Sequence, residues 1–212
     1  MITPDNKGPS FLEEEQLKIQ GYHYIAGIDE AGRGPLAGPV VAAAVVLPDS
    51  MNYGWMSIVN DSKQVTPRKR ELLYGCITEI TDSIGVGIVS ASAIDEIGIV
   101  RATRRAMKLA VEKLEPSPDY CIIDYMFVPE IHLPQKGITR GDSLCFSIAC
   151  ASIIAKVTRD RLMVELDNRY PGYKFSSHKG YGTREHIACL KRLGPSPVHR
   201  YSFKPVQEVA VK

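Results

Sequence analysis

Four acidic residues stand where predicted strands and helices begin or end. Asp29 and Glu30 follow one apolar run, Asp124 ends another, and Asp142 precedes a helical pattern. An unpaired charge beside apolar segments is unfavourable, and a hard divalent cation relieves the repulsion between clustered carboxylates. Together the four acids predict a Mg²⁺ or Mn²⁺ site. Two such ions about 3.5–4 Å apart can support phosphodiester hydrolysis.

Each acid also has a plainer interpretation. Asp142 could be the N-cap of the helix that follows it, Asp124 could be a turn residue, and Asp29-Glu30 could form a solvated turn. Adjacent strand residues point to opposite faces of a sheet. Asp29 and Glu30 therefore share one site only if the strand kinks or one of them uses its backbone carbonyl.

A glycine-rich segment follows the first two acids. Gly32, Gly34 and Gly38 have the spacing G-x-G-x-x-x-G, and two prolines lead into β-branched residues. A dinucleotide-binding fingerprint would have a different spacing and would open a helix. A glycine turn lets the backbone approach a ligand closely, and Arg33 can bind a phosphate with its planar guanidinium. Such a loop can contact a 2′-hydroxyl and so distinguish RNA from DNA.

The cysteines and histidines do not indicate a zinc site. Five cysteines are an odd number with no C-x-x-C pair, which argues against a disulfide framework and a zinc ribbon. The spacing of His178, His186 and His199 fits no common zinc pattern. We expect reduced cysteines packed as small core residues and a cytoplasmic location.

Composition excludes several classes of protein. Apolar residues make up 44% and charged residues 24% of the 212 residues, which excludes a disordered, collagen-like or coiled-coil chain. The longest apolar run, 40–47, is far shorter than the ~20 residues of a membrane span, and residues 1–20 show no secretory signal. We therefore expect no membrane association.

Charge is distributed unevenly along the chain. Residues 1–139 carry 13 basic and 18 acidic side chains, whereas residues 140–212 carry 13 basic and 6 acidic ones. A basic C-terminal third favours a polyanionic partner, with a solvated basic surface as the alternative. The residues placed to contact phosphates are Lys179, Arg184, Lys191, Arg192 and Arg200.

The elements that position these residues follow from the apolar patterns. Strands are predicted at 24–29, 40–47, 84–90 and 120–124. Helices are predicted at 10–20, opened by a capping box at Ser10 and Glu13, and at 66–80, 100–114, 142–168 and 183–193. The order predicts an α/β fold, a mixed β-sheet flanked by helices with a small helical C-terminal appendage.

Several segments resemble one family, ribonuclease HII. The segment 27–39, Gly-Ile-Asp-Glu-Ala-Gly-Arg-Gly-Pro-Leu-Ala-Gly-Pro, resembles its N-terminal signature. Similar segments follow in the family's order at 61–63, 68–71, 141–143, 147–160, 179–183 and 193–203. The resemblance spans roughly 22–206, and its specificity comes from several separate motifs in order.

This resemblance implies an RNase H-like fold and an endonuclease. The expected partners are RNA–DNA hybrids and DNA duplexes that contain ribonucleotides. The enzyme would cut the RNA strand of a hybrid, or cut 5′ of an embedded ribonucleotide, leaving 3′-hydroxyl and 5′-phosphate ends. We expect a monomer. The implied domains are an N-terminal helical segment 1–21, a catalytic core 22–170 and a basic helical region 171–212 that completes the substrate groove.

The resemblance also assigns roles to residues. The metal-binding acids, for two Mn²⁺ or Mg²⁺ ions with substrate bound, match Asp29, Glu30, Asp124 and Asp142. The loop that senses the 2′-hydroxyl matches Gly32, Arg33 and Gly34. Tyr181 matches the tyrosine that stacks on the deoxyribose after the ribonucleotide, with a packed aromatic as the plainer alternative. Lys63, in the Asp-Ser-Lys segment, is a further candidate for phosphate contact.

Two positions depart from the family pattern. Tyr125 stands after the third acid, where the family usually has Gly, and Arg140 stands where the family often has Lys two residues before the fourth acid. We expect these departures to affect the floor of the site, the metal preference or the rate, because neither removes a ligand.

Two other functions fit parts of the same pattern. A DNA-cutting nuclease with an RNase H-like fold would use the same acids but would cleave an all-DNA duplex. A non-catalytic hybrid-binding module could dispense with the acids, since a cluster of carboxylates weakens phosphate binding. The presence of all four acids therefore argues against the binding module.

Overall fold

The computed structural model describes residues 8–49, 52–59, 65–81 and 83–210. The strands are β1 (Ile25–Ala31), β2 (Val40–Val46), β3 (Ser83–Val89), β4 (Tyr120–Asp124) and β5 (Gln135–Ile138). The helices are α1 (Leu12–Ile19), α2 (Pro67–Ile80), α3 (Ala91–Ile97), α4 (Ile99–Val111), α5 (Gly141–Leu144), α6 (Phe146–Arg169), α7 (Phe175–His178), α8 (Arg184–Leu193) and α9 (Lys204–Ala210). A 3₁₀ turn spans Gly54–Ile58.

The five strands form one mixed sheet in the order β3-β2-β1-β4-β5. The first three pair antiparallel, and β4 and β5 run parallel to β1. Ile28 of β1 lies beside Ile123 of β4. Asp29 and Asp124 are the next residues on these neighbouring strands, so both acids come to the same edge of the sheet.

Helices cover both faces of the sheet, which explains the nearly continuous apolar runs of β1 and β2. Side chains alternate along β2: Ala42 packs in one core cluster with Ala106 of α4, and Ala43 packs in another with Ile153 of α6. The predicted mixed sheet flanked by helices is confirmed.

The C-terminal helices pack against the loop that follows β1. Leu36 donates its backbone N–H to the carbonyl of Gly180 (2.8 Å) and accepts from the N–H of Arg200 (2.8 Å). Ala37 shares a core cluster with Met163 and Phe175. The glycine loop is therefore held between the α7–α8 connection and the segment that precedes α9.

Local predictions are confirmed at most elements and wrong at two. The capping box at Ser10 does not form: Phe11 is the N-cap of α1, and Ser10 instead pairs through its backbone with Leu144 and Phe146. The single helix predicted over 142–168 is interrupted at Cys145, whose backbone is extended. The prediction also missed β5 and the short helices α3, α7 and α9, which have too few residues for a clear period.

Four of the five cysteines are buried in the core, and Cys76 is partly exposed. All five are free, and burial raises the pKa of the Cys121 and Cys145 thiols to about 12. Among the described residues, no helix combines the length and the apolar composition that crossing a membrane requires.

Candidate active site

Asp29 lies near the end of β1, between the sheet and α6. It is 5% exposed, and its Oδ1 accepts the backbone N–H of Glu30 (2.7 Å). Ser152 of α6 also forms a hydrogen bond with the Asp29 carboxylate. Glu30 is paired with Arg33, whose Nη1 lies 3.3 Å from Glu30 Oε1.

The two other acids are joined through the start of α5. Oδ1 of Asp124 accepts the backbone N–H of Gly141 (2.7 Å), the first residue of α5. Asp142 comes next and is buried, and Ser143 Oγ donates to its Oδ1 at 3.4 Å. Interpreting Asp142 as an N-cap is wrong, because the N-cap position is Arg140 and the carboxylate that meets this helix end belongs to Asp124.

The carboxylates repel each other in a poorly solvated space. Burial raises the pKa of Asp29 well above its usual value, and the negative charges of Glu30 and Asp124 raise it further. Burial also raises the pKa of Glu30, although the Arg33 guanidinium opposes that shift. Asp29, Glu30 and Asp124 thus form one electrostatically coupled group.

This donor set fits a hard divalent cation. It consists of carboxylate oxygens, and Oε2 of Glu30 is buried with no hydrogen-bond partner. In the part of the chain that the structure describes, no three Asp, Glu, His or Cys side chains stand close enough together to hold one ion. Mg²⁺ commonly binds through one or two carboxylates, with water and substrate phosphate as its other ligands. The residues present fit that mode, and a ligand set of all four acids stays a prediction.

A pocket of about 240 Å³ opens beside the acids. It brings together Glu30, the predicted 2′-hydroxyl-sensing residues Gly32, Arg33 and Gly34, and the ring of Tyr181. These residues come from the end of β1 and from the connection between α7 and α8. Their convergence places a carboxylate, a guanidinium, a glycine-rich backbone and an aromatic ring in one pocket.

Three polar residues of this pocket were not predicted from the sequence: Ser152, Lys156 and Arg159. Ser152 and Lys156 are one helical turn apart on α6, and Lys156 Nζ lies 2.7 Å from Asp160 Oδ1. The i, i+4 spacing of Ser152 and Lys156 could have indicated a shared face. It could not indicate that this face meets the acids.

Two buried arginines hold the glycine loop in place. Arg159 donates to the carbonyls of Pro39 (3.0 Å), Ala37 (3.2 Å) and Lys179 (3.0 Å). Gly32 has a φ of +93°, and a Cβ there would lie 2.0 Å from Arg159 Nε. Only glycine satisfies both the left-handed backbone and the close approach.

Arg200 corrects one prediction. It was expected to contact phosphates, but it is fully buried. Its guanidinium donates to the carbonyls of Gly32 (2.6 Å), Arg33 (2.8 Å) and Gly38 (3.0 Å). Arg200 therefore shapes the loop, because its charge-assisted donors match several carbonyls at once.

The remaining predicted contacts lie elsewhere. Arg184 is the first residue of α8 and is exposed. It borders a separate depression with Lys191, outside the pocket of Glu30 and Tyr181. Lys63 lies outside the described residues.

Tyr125 has a backbone that favours glycine. Its φ is +63°, in the left-handed region, and its side chain is 68% exposed. The ring is not part of the pocket lining. The expectation that its bulk alters the floor of the site stays a prediction.

The sequence matches one protein family over most of its length. The family model described as ribonuclease HII matches residues 26–206. The chain is 55% identical over 201 residues to the ribonuclease HII of Dehalococcoides mccartyi strain 195, covering 95% of each chain.

Solved structures share the fold. Ribonuclease H2 from Pyrococcus horikoshii superposes with a TM-score of 0.72 at 26% identity, covering 89% of this chain and 98% of that one. RNase HII in its complex with PCNA from Archaeoglobus fulgidus gives a TM-score of 0.72 at 27% identity, covering 86% and 96%. The mixed sheet flanked by helices is thus an RNase H fold. Since the family model spans the acids, the glycine loop and Tyr181, this chain is a nuclease that belongs to the ribonuclease HII family.

Proposed function

We propose that this chain is an endonuclease for the RNA strand of RNA–DNA hybrids and for ribonucleotides embedded in duplex DNA, which it cuts on the 5′ side. The products would be 3′-hydroxyl and 5′-phosphate ends. The observation that carries the proposal is the shared pocket. Glu30, one of the four acids, lines it together with the glycine loop and Tyr181.

The four acids would hold the metal. Asp29, Glu30, Asp124 and Asp142 would bind Mn²⁺ or Mg²⁺, with two ions expected when substrate is present. When bound, such ions lower the pKa of water and stabilise the negative charge that develops at a phosphodiester. Two observations support this assignment. The raised pKa of Asp29 shows that its ionised form is disfavoured without a nearby cation, and Oε2 of Glu30 is a buried oxygen with no hydrogen-bond donor.

The glycine loop would recognise the ribose. Arg200 holds the carbonyls of Gly32 and Arg33, so the loop backbone is rigid before substrate arrives. The backbone amides of this loop are then the groups that we expect to contact the 2′-hydroxyl. The Arg33 guanidinium pairs with Glu30 and is partly exposed, which allows it to contact a phosphate from the same position.

Tyr181 would recognise the following sugar. Its ring is 44% exposed and borders the pocket, with the Arg159 guanidinium 6.0 Å from the ring centroid. An exposed ring held in this way can stack on a deoxyribose, which would favour an RNA-to-DNA step. Tyr181→Phe should then retain most of the activity, whereas Tyr181→Ala should lose much more.

A cleavage assay tests the activity. The substrate is a DNA duplex with one ribonucleotide, incubated with and without Mn²⁺ or Mg²⁺, and the cut ends are mapped. We expect a cut on the 5′ side of the ribonucleotide only when metal is present. Asp124→Asn should abolish cleavage while hybrid binding is retained.

Three results would contradict the proposal: cleavage of an all-DNA duplex, cleavage in the presence of a chelator, or turnover by Asp124→Asn. The first would favour a DNA-cutting nuclease of the same fold. The third would remove Asp124 from the metal-binding group.

A further inference from the structure

Three buried histidines form a cluster behind Tyr181. The rings of His178 and His186 stack with centroids 4.3 Å apart, and those of His186 and His199 lie 5.2 Å apart. Phe175 packs edge-on against the first two rings. The proposed recognition of substrate does not use these histidines, so their arrangement needs its own explanation.

Hydrogen bonds determine which nitrogen of His199 and His186 carries the proton. Nδ1 of His199 accepts the backbone N–H of Ser196 (2.9 Å), so its proton lies on Nε2. That Nε2–H points at Nε2 of His186 (3.0 Å), which must therefore accept. The proton of His186 is then on Nδ1, which donates to the backbone carbonyl of Tyr181 (2.9 Å).

His178 is determined in the same way. Its Nδ1 accepts the backbone N–H of Gly180 (3.2 Å), so Nε2 carries the proton and donates to the carbonyl of Tyr173 (2.8 Å). All six ring nitrogens of the cluster are thus engaged. Each ring is neutral in this pattern, because each uses one nitrogen as donor and the other as acceptor.

The surroundings of His186 and His199 favour the neutral form of these two rings. Burial lowers the pKa of His186, and burial together with the neighbouring histidine lowers the pKa of His199 to about 4. We call the series of hydrogen bonds from His199 through His186 to the carbonyl of Tyr181 the relay. At neutral pH its donors and acceptors therefore keep the direction that the geometry requires.

The relay ends on the backbone that carries the recognition tyrosine. His186 holds the carbonyl of Tyr181, and His178 holds the N–H of the preceding Gly180. The carbonyl of Gly180 accepts the N–H of Leu36 in the glycine loop. The Tyr181 backbone is thereby fixed between the histidines and the loop proposed to contact the ribose.

We propose that the relay from His199 to His186, with His178 beside it, positions Tyr181 and thereby sets the preference for a ribonucleotide followed by a deoxynucleotide. These histidines are positioning residues and do not touch substrate. The inference rests on the proposed function, because it acts through the sugar contact of Tyr181.

Substitutions at His186 separate the two ends of the relay. His186→Asn keeps an amide donor near the position of Nδ1, whereas His186→Gln places its amide toward Nε2, and His186→Leu removes both groups. The readout is the ratio of kcat/KM on a duplex with one ribonucleotide to kcat/KM on a uniform RNA–DNA hybrid. A loss of folded enzyme lowers both values equally and leaves the ratio unchanged.

We expect His186→Leu and His186→Gln to lower this ratio roughly fivefold, the size expected for one lost hydrogen bond. His186→Asn should stay within about twofold of the unsubstituted enzyme, because the donor to Tyr181 is kept. Equal ratios for all three variants and the unsubstituted enzyme would overturn the inference.

A double-mutant cycle with Tyr181→Ala tests the route of the effect. In the Tyr181→Ala background, His186→Leu should cause no further change in the ratio, whereas an undiminished drop would overturn the inference. If Tyr181→Ala lowers the ratio and His186→Leu does not, the positioning role fails and the proposed function stands. If Tyr181→Ala itself leaves the ratio unchanged, the sugar contact fails and the positioning role fails with it.

A spectroscopic test uses the unsubstituted protein. Long-range ¹H–¹⁵N spectra at neutral pH should show His186 protonated on Nδ1 and His178 and His199 protonated on Nε2. A positively charged His186, or one protonated on Nε2, would contradict the relay whatever the variants show.

Discussion

At the scale of single residues, the charge of Asp29 is the clearest conflict between stability and function. Its pKa is higher in the folded protein than in the unfolded chain, so the folded state holds the proton more tightly. The penalty for ionising Asp29 is absent below its ordinary pKa and grows as the pH rises through the raised value. The metal-free protein therefore carries a larger penalty at neutral pH than it does near pH 4.

Removing the charge should stabilise the metal-free enzyme. We expect Asp29→Asn to raise the melting temperature by a few degrees at pH 7.5 in a chelator, with a smaller gain near pH 4. Cleavage should be lost. Thermal unfolding at the two pH values checks this, with the exposed Glu15→Gln as a control that should change little. A destabilised Asn variant at pH 7.5 would show that the carboxylate is compensated within the protein.

Tyr125 carries backbone strain at an exposed position. A non-glycine residue in the left-handed region costs about 1 kcal/mol or more, and the exposed ring makes little contact that would offset it. We expect Tyr125→Gly to raise the melting temperature by about 2–4 °C, with cleavage rates within about twofold of the original. Tyr125→Ala keeps a Cβ and should show no such gain. A large fall in rate at unchanged stability would instead indicate contact with substrate.

At the scale of elements, the close packing of α4 on β3 depends on two positions without side chains. A Cβ at Gly85 would lie 1.9 Å from the carbonyl oxygen of Ala110, and one at Gly87 would lie 1.9 Å from that of Ala106. Because both obstacles are backbone atoms, the helix itself would have to move. The sequence shows the two glycines but not the helix they meet.

Gly87→Ala should therefore be strongly destabilising. We expect a loss of about 3 kcal/mol in the free energy of unfolding, the upper end for overpacking a core. Gly75→Ala, on the open side of α2, is the matched control and should be neutral or stabilising by up to about 1 kcal/mol. Urea unfolding of both variants measures the difference, and similar values for the two would contradict the tight packing.

The N-terminal helix is also connected to the core. Oε1 of Glu14 in α1 accepts the N–H (2.9 Å) and the hydroxyl (2.7 Å) of Ser147 at the start of α6. Arg200, in the C-terminal region, contacts the glycine loop. Both the N-terminal helix and the C-terminal region are therefore bonded to the segment 22–170. The proposed division into 1–21, 22–170 and 171–212 therefore describes the order along the chain, and we expect the three parts to fold together.

At the scale of the whole molecule, charge should govern how nucleic acid binds. The basic excess lies in residues 140–212, and Arg184 and Lys191 line one open depression on α8. Each phosphate neutralised contributes a slope of roughly −0.9 to the logarithm of affinity against the logarithm of salt concentration for duplex DNA. A steep dependence would distinguish a binding surface from a merely solvated one.

Replacing both residues should flatten this dependence. We expect Arg184→Ala with Lys191→Ala to reduce the magnitude of the slope by about 2, measured by fluorescence anisotropy on a hybrid with the Asp124→Asn enzyme. Arg105 is an exposed residue of α4, which covers the opposite face of the sheet from α6. Arg105→Ala is the control and should leave the slope unchanged. A flat response in the parent enzyme would favour the solvated-surface alternative.

The sequence by itself determined the local chemistry and the family. The acids at the ends of apolar strands, the glycine loop and the tyrosine between two glycines all lie in segments whose pattern depends on near neighbours in the chain. Helix α2 was predicted for the same reason, because its N-cap Thr66 acts within one turn.

Only the tertiary structure decided what the long-range partners do. Arg200 meets the carbonyl of Gly32, 168 residues away, and so supports the loop instead of contacting phosphate. His186 meets His199 across 13 residues, and Lys156 faces the pocket because α6 packs on β1. Such pairings depend on how whole elements pack, which the residues on either side in the sequence do not specify.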